Sequence, residues 1–367
     1  MMKELQEKFN QFIADIPVKS IHPFGSGHIN DTYLIEVEGT TQNYILQRVN
    51  HHIFPNVPEL MNNIVAVTKH LRKKYEQMPH KNPDINTLTF LPAKDGNMYY
   101  KDESGDYWRV MLEINPAKTY DQVEEPKQAF QAGVGFGGFQ SLLSDLDGSK
   151  LYEIIPNFHN METRLQTFLD TVEKDPKDRV TLAQEQIAFV KERTEEMLTL
   201  VRLSKEGVLP IRVTHNDTKI NNILLDENDQ GLCVIDLDTV MPGLVHYDFG
   251  DSIRTSTNTG AEDDANLDNV EMDINLFKAY TEGFLQETAD ILTETEIKYL
   301  PLSAKIMTFI IGLRFITDYI DGDNYFKTKH EHHNLQRAKA QFKLVESMEV
   351  QFEEMKKIVA DATVLTV

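Results

Sequence analysis

His215-Asn216-Asp217 is followed by Asn222 five residues beyond the aspartate, inside a segment, 211–226, where short apolar runs flank a dense polar loop. Fourteen residues after Asn222 comes Asp236, delivered by the apolar run Cys233-Val234-Ile235 and succeeded by Leu237-Asp238. In phosphoryl transfer a protein mostly positions groups and neutralises charge: a carboxylate receives the acceptor hydroxyl's proton, and oxygen ligands hold Mg²⁺ across the nucleotide phosphates. Asp217 has the type needed for the first task, and Asn222 and Asp236 have the types needed for the second. An apolar strand ending at Ile235 presents Asp236 rigidly. Each residue alone reads equally well as part of a polar turn or a strand-end cap; the joint spacing is what points to a single Mg²⁺–ATP site.

Such residues need a scaffold. Residues 21–37 read as strand, glycine-bearing turn, strand, and Tyr44-Ile45-Leu46-Gln47-Arg48-Val49 as a third strand. Pro58 then opens a helical run from Glu59 to about Gln77. Strand patterns at 87–91 and 107–112 complete a small sheet. From about Glu125 the pattern turns mainly helical, with helices expected near 125–144, 161–172, 181–204, 271–288, 294–319 and 333–359. The expectation is an α+β, two-lobed fold: a small antiparallel-sheet N-terminal nucleotide-binding lobe over 1–113, and a mainly helical C-terminal lobe over 114–367 carrying the catalytic loop and acceptor site. A chain of 367 residues is long enough for two such bodies.

Charge narrows the partners. Asp and Glu number 58 against 37 Lys and Arg, a net charge of −21, which disfavours nucleic acid and anionic lipid and leaves a small molecule as the expected partner. The single cysteine, Cys233, lies between Leu232 and Val234 and reads as a buried structural thiol, in keeping with a reducing, cytoplasmic setting. The first nine residues lack the apolar core of a signal peptide. The most apolar run, 306–311, is far short of the roughly 20 residues that span a bilayer, so no membrane anchor is expected.

The segments 215–225 and 234–239 resemble the signature of the aminoglycoside phosphotransferase and choline kinase superfamily, a branch of the protein-kinase-like fold. Carried over residue by residue, the resemblance implies that Asp217 is the catalytic base, that Asn222 and Asp236 are magnesium ligands, and that Lys219 touches the transferring phosphate. The wording of 214–222, 234–243 and 247–254, with Tyr44-Ile45-Leu46-Gln47-Arg48 and the stretch 314–323, is similar to the N-acetylhexosamine 1-kinases within that superfamily. This implies ATP as donor and the anomeric hydroxyl of a sugar as acceptor. It also implies that Arg314 and Tyr325 contact the sugar. Asp318, four residues after Arg314 on one helical face, His28 and Asp31 are further candidates.

For the nucleotide, Gly25-Ser26-Gly27 at a hairpin tip is a candidate phosphate loop, although a turn that merely reverses the chain has the same composition. Leu112-Glu113-Ile114 is the expected interlobe hinge, with the main chains of Glu113 and Ile114 offered to adenine. The third strand carries Gln47 where a lysine is usual. Either a bulge turns Arg48 inward or Gln47 faces the phosphates, and Arg48 is the favoured choice; Glu59 is its candidate partner, although a solvated glutamate at a helix start is the favoured reading of that residue. The GxGxxG run at Gly133–Gly138 follows a helical segment instead of a strand, so small residues at a close helix crossing explain it better than a dinucleotide site. His330-Glu331-His332-His333 reads as a solvated turn and not a metal site. Competing readings are a kinase for another alcohol, of aminoglycoside, choline or homoserine type, and a non-catalytic pseudokinase suggested by Gln47.

Overall fold

The computed structural model describes residues 2–14, 16–25 and 29–365. In chain order the first half contains α1 (Met2–Phe9), β1 (Val18–Pro23), β2 (Asp31–Val37), β3 (Tyr44–Val49), α2 (Val57–Tyr75), α3 (Pro83–Asn86), β4 (Phe90–Leu91), β5 (Tyr100–Lys101), β6 (Tyr107–Leu112), α4 (Pro126–Leu142) and α5 (Met161–Lys174). There follow α6 (Gln184–Met197), α7 (Thr199–Lys205), β7 (Arg212–Thr214), β8 (Ile223–Leu225), β9 (Gly231–Val234), β10 (Met241–Gly243), α8 (Val245–Ser256), α9 (Ile274–Thr288), α10 (Glu294–Asp321), α11 (His333–Val350) and α12 (Phe352–Leu365).

These elements form two compact units. The first holds residues 1–118, 145–155 and 224–242; the second holds 119–144, 156–223 and 243–367. The first unit is built on an antiparallel six-stranded sheet of order β1-β2-β3-β6-β4, with β5 also paired to β6. Successive residues of a strand point to opposite faces, so parity decides what each side chain meets. Leu46, Trp108 and Val110 share one face and bury against Leu5 and Phe9 of α1. The opposite parity, including Gln47 and Arg109, is turned away from that core. α2 begins where Asn56 caps the Glu59 N–H and Pro58 fits the first turn, and it buries the stripe Leu60, Ile64, Val67 and Leu71. Of the strand expected at 87–91 only Phe90–Leu91 forms, because Pro83 starts a short helix just before it.

The second unit is helical around α10. A Thr293–Glu296 capping box starts that helix, and Gly322, at φ 109°, ends it. By length and composition α10 is apolar enough to cross a membrane, but 83% of its most apolar window is buried inside the unit. Its apolar length instead builds the main core with α5, α6 and α11. The glycines of the GxGxxG run lie in α4, and Gly133 and Gly137 face α9: a Cβ on Gly133 would sit 2.2 Å from the Tyr280 carbonyl oxygen, and one on Gly137 2.8 Å from that of Phe284, while Gly135 faces the Ile223 side chain. Gly283 returns the contact, 2.2 Å from the Phe130 carbonyl oxygen. Their role is close backbone approach.

Candidate active site

In the second unit the loop after β7 carries Asp217 and Lys219, and a 3₁₀ turn at Ile220–Asn222 follows it. A polar loop that is largely buried needs a partner for each enclosed amide. α8 supplies two. Asp248 Oδ2 accepts from the His215 N–H at 2.9 Å and its Oδ1 from the Asn216 N–H at 2.7 Å. Gln140 of α4 donates to the same carboxylate at 2.6 Å and to the Val213 carbonyl at 3.1 Å. One turn along α8, Asp251 accepts from the Thr218 N–H at 3.1 Å and is held by Arg254 at 2.8 and 3.0 Å. Thr218 Oγ1 donates to the Asp248 carbonyl, and Ser252 Oγ to that of Thr218. The His215 ring is enclosed edge-on by Phe136 and Phe139, and His159 Nε2 donates to the Asn216 carbonyl at 3.2 Å. Asn216 itself sits at φ 66°, a conformation that costs a non-glycine residue about 1 kcal/mol or more and that these bonds enforce.

On this clamp Asp217 is the group left partly open, its carboxylate 2.9 Å from Lys219 Nζ. Burial works to raise the Asp217 carboxyl, but the Lys219 charge and hydrogen bond, with the His215 and Arg254 charges, outweigh it and hold its pKa below the ordinary aspartate value. Asp217 in turn raises that of Lys219. Burial raises Asp248, which the loop amides only partly offset. Asn222 turns its amide nitrogen inward, donating to the Asp217 carbonyl at 2.8 Å and its carboxylate at 3.3 Å. Its oxygen is thereby presented as a hard donor of the kind Mg²⁺ takes. Asp236, in the first unit, ends the apolar β9 segment in the left-handed region at φ 57°. The Asn222 amide oxygen in the second unit and the Asp236 carboxylate in the first are each oxygen donors of the type Mg²⁺ takes, and Mg²⁺ usually uses few protein ligands and completes its shell with phosphate and water.

The acceptor candidates divide. Arg314 is centred 5.3 Å from the Phe158 ring, 5.5 Å from Tyr325 and 5.4 Å from Phe326, with a single 3.4 Å contact to the Tyr325 hydroxyl as its described hydrogen bond. Tyr325 is 63% exposed. Asp318, proposed as an acceptor contact, turns its carboxylate to the main chain after α10 instead. It is 6% exposed and its carboxylate accepts from the Tyr325 and Phe326 N–H groups and from Asn334, folding the turn after α10. Near Arg314 stands a residue that pattern reading passed over, Arg164, whose guanidinium donates to the Phe158 carbonyl. Burial, then the Arg314 charge, lowers its pKa to about 10.

In the first unit the expected phosphate cation is also corrected. Arg48 shares the parity of Leu46 and lies on the α1 face, paired with Asp31 and, at 3.4 Å, Asp106. The β2-β3-β6 ladder runs through Arg48 without a bulge, so nothing turns it inward. Asp31, proposed for the acceptor, is committed to that exposed pair. Glu59 serves the start of α2, and among the described residues it has no ion pair. Gln47 faces the other way, accepting from Arg109 Nε at 2.9 Å, and Arg109 Nη1 donates to Asp238 at 2.5 Å. The buried cation is thus on β6. Glu113's N–H donates to the Asn43 carbonyl and its carbonyl accepts from Gln42, so its main chain is already used within the sheet, while no described hydrogen bond engages that of Ile114. Gly25 is at φ 79°. Ser26, Gly27 and His28 lie outside the described residues.

Of the histidine run, His330, Glu331 and His332 are exposed, with His332 meeting the Tyr319 hydroxyl, while His333 at the start of α11 is buried and bonds Asp263 at 2.9 Å. Among the described residues no cluster of three or more His, Cys, Asp or Glu is arranged for a metal. Burial raises the Cys233 thiol to about 12, as expected of a structural cysteine.

The fold is shared with known structures at low sequence identity. An aminoglycoside phosphotransferase from Alicyclobacillus acidocaldarius superposes with a TM-score of 0.59 at 13% identity, over 98% of this chain and 96% of its own. Choline kinase from Cryptosporidium parvum gives 0.57 at 11% identity, over 98% and 99%. The ternary complex of streptomycin, ATP and APH(2″)-IIa gives 0.53 at 14% identity, over 94% and 97%. The α+β architecture, an antiparallel-sheet N-terminal region and a helical C-terminal region, is therefore that of the protein-kinase-like phosphotransferases. Residues 20–273, well over half of the chain and spanning the loop, the Asp248 clamp and Asp236, match the phosphotransferase enzyme family, APH, and the chain belongs to that family.

Proposed function

We propose that the protein is an ATP-dependent small-molecule kinase whose acceptor is the anomeric hydroxyl of an N-acetylhexosamine. The observation that carries the kinase reading is Asp217: a partly open carboxylate, kept ionised beside Lys219, on a loop whose His215, Asn216 and Thr218 amides are clamped from α8. Such a carboxylate is a weak base, so its part is to orient the acceptor hydroxyl and take its proton late, as the oxygen bonds to phosphorus. Lys219 neutralises charge beside the reacting group. Asn222 and Asp236 would hold Mg²⁺, which when bound neutralises the nucleotide phosphates. ATP as donor is supported by the ATP-bound relative named above.

The sugar acceptor is supported by Arg314 and Arg164. Two guanidinium groups, neither with a carboxylate partner among the described residues, sit beside Phe158 and Tyr325 and disfavour a cationic acceptor such as an aminoglycoside or choline. Aromatic faces and planar donors suit a neutral ring bearing hydroxyls and an acetamido oxygen. ADP release from Mg²⁺–ATP is to be followed with N-acetylglucosamine, N-acetylgalactosamine, glucose, galactose, choline and kanamycin. Fastest turnover on the two acetylated sugars is expected. Turnover confined to choline or kanamycin refutes the acceptor, and no acceptor-dependent turnover at all favours the pseudokinase.

A further inference from the structure

Arg109 is 2% exposed, and its partner Asp238 is 3% exposed. The two carboxylate oxygens of Asp238 are committed to different parts of the sheet. Oδ1 accepts from Arg109, whose Nε reaches Gln47 and, through the Gln47 amide, Thr32. Oδ2 accepts at 2.7 Å from Asn30, whose own oxygen takes the Asn50 N–H at 3.0 Å. Asn30 immediately precedes β2, and Asp238 stands two residues after Asp236. A buried ion pair of this kind adds little stability over two well-packed apolar side chains, so stability does not explain its presence.

We propose that Arg109 and Asp238 are positioning residues for the metal ligand. The pair ties the turn at 236–239 to β6, β3 and the start of β2. It holds Asp236 in its left-handed conformation with the carboxylate set for the magnesium–nucleotide. The cation missing from the third strand is replaced by one on the neighbouring strand, directly opposite Gln47 in the ladder. This inference rests on the reading of Asp236 as a magnesium ligand.

The test uses the intact chain and the variants Arg109→Met/Asp238→Leu and Arg109→Lys. It compares Tm with ADP affinity measured by calorimetry with and without Mg²⁺. The double variant exchanges the ion pair for apolar groups and is expected to keep Tm within about 4 °C. Its affinity for Mg²⁺–ADP is expected to fall about 10- to 100-fold, the usual effect of removing a group that orients a metal ligand. Its affinity for metal-free ADP should hardly change. Wild-type Mg²⁺–ADP affinity in a folded double variant overturns the proposal. If that variant does not fold, Arg109→Lys decides, because lysine keeps the charge but cannot span Gln47 and Asp238 together. The expected result is weakened Mg²⁺–ADP binding at unchanged Tm, and unchanged binding overturns the proposal. Wild-type protein whose ADP binding ignores Mg²⁺ instead refutes the metal-ligand reading of Asp236 on which the proposal stands.

Discussion

Asp248→Asn changes one atom in the clamp beneath the catalytic loop. The carboxylate accepts from the His215 N–H, the Asn216 N–H and Gln140, all at 2.6–2.9 Å and all buried. An asparagine offers one acceptor oxygen, so whichever way its amide turns, at least one buried donor loses its acceptor and faces an NH₂ group. An unsatisfied buried donor costs about 1–3 kcal/mol, and the surviving bonds lose their charge assistance, about 1 kcal/mol each, so the expected loss is about 3–5 kcal/mol. Urea unfolding followed by circular dichroism measures it as a shift in midpoint at constant m-value. Turnover should fall as well, because the amides beside Asp217 lose the bonds that place them. A destabilisation below about 1 kcal/mol, with wild-type turnover, would refute the reasoning that the loop is held by its buried amides.

Further outcomes are expected elsewhere. Gly133→Ala places a Cβ 2.2 Å from the Tyr280 carbonyl oxygen and must part α4 from α9, costing about 2 kcal/mol or more in urea unfolding despite alanine's better helix propensity. Burial lowers the pKa of both His159 and His246 to about 4, against 6.5 for an unperturbed histidine. Between those values the unfolded chain binds protons that the folded one refuses, so stability is full above pH 6.5 and declines as pH falls toward 4. The upper limit is about 3 kcal/mol per histidine, seen as a falling urea midpoint over that range. Arg48→Gln breaks an exposed pair on the face away from Gln47; it should cost less than about 1 kcal/mol and leave turnover within about twofold of wild type.

Local spacing made much of this molecule legible. Period-two and period-3.6 patterns mark the hairpin, β3, β6 and α2, because those elements are defined by neighbours in sequence. The polar loop at 215–222 is likewise visible because its polarity stands between apolar strands. What escaped reading depends on pairing at a distance. Whether Gln47 or Arg48 faces inward follows from the ladder with β2 and β6, and the cation opposite Gln47 is sixty-two residues away, on Arg109. Asp318 reads as an acceptor candidate because helical spacing puts it on one face with Arg314; the turn at 322–326, set by Gly322, bends the chain back and takes its carboxylate instead. Buried acids on α8 among Val245, Phe249 and Ile253 were a signal that Asp248 and Asp251 serve the interior, although not which amides they hold.

The most direct test of the central claim is the position of the phosphate in the product. Protein, Mg²⁺–ATP and N-acetylglucosamine are to be incubated together and followed by phosphorus NMR with proton correlation. A new phosphate monoester whose phosphorus couples to the anomeric proton is expected, and it should be absent when Asp217 is replaced by Asn. A phosphate on any other hydroxyl, or the same product from the Asp217→Asn protein at an undiminished rate, would contradict that claim.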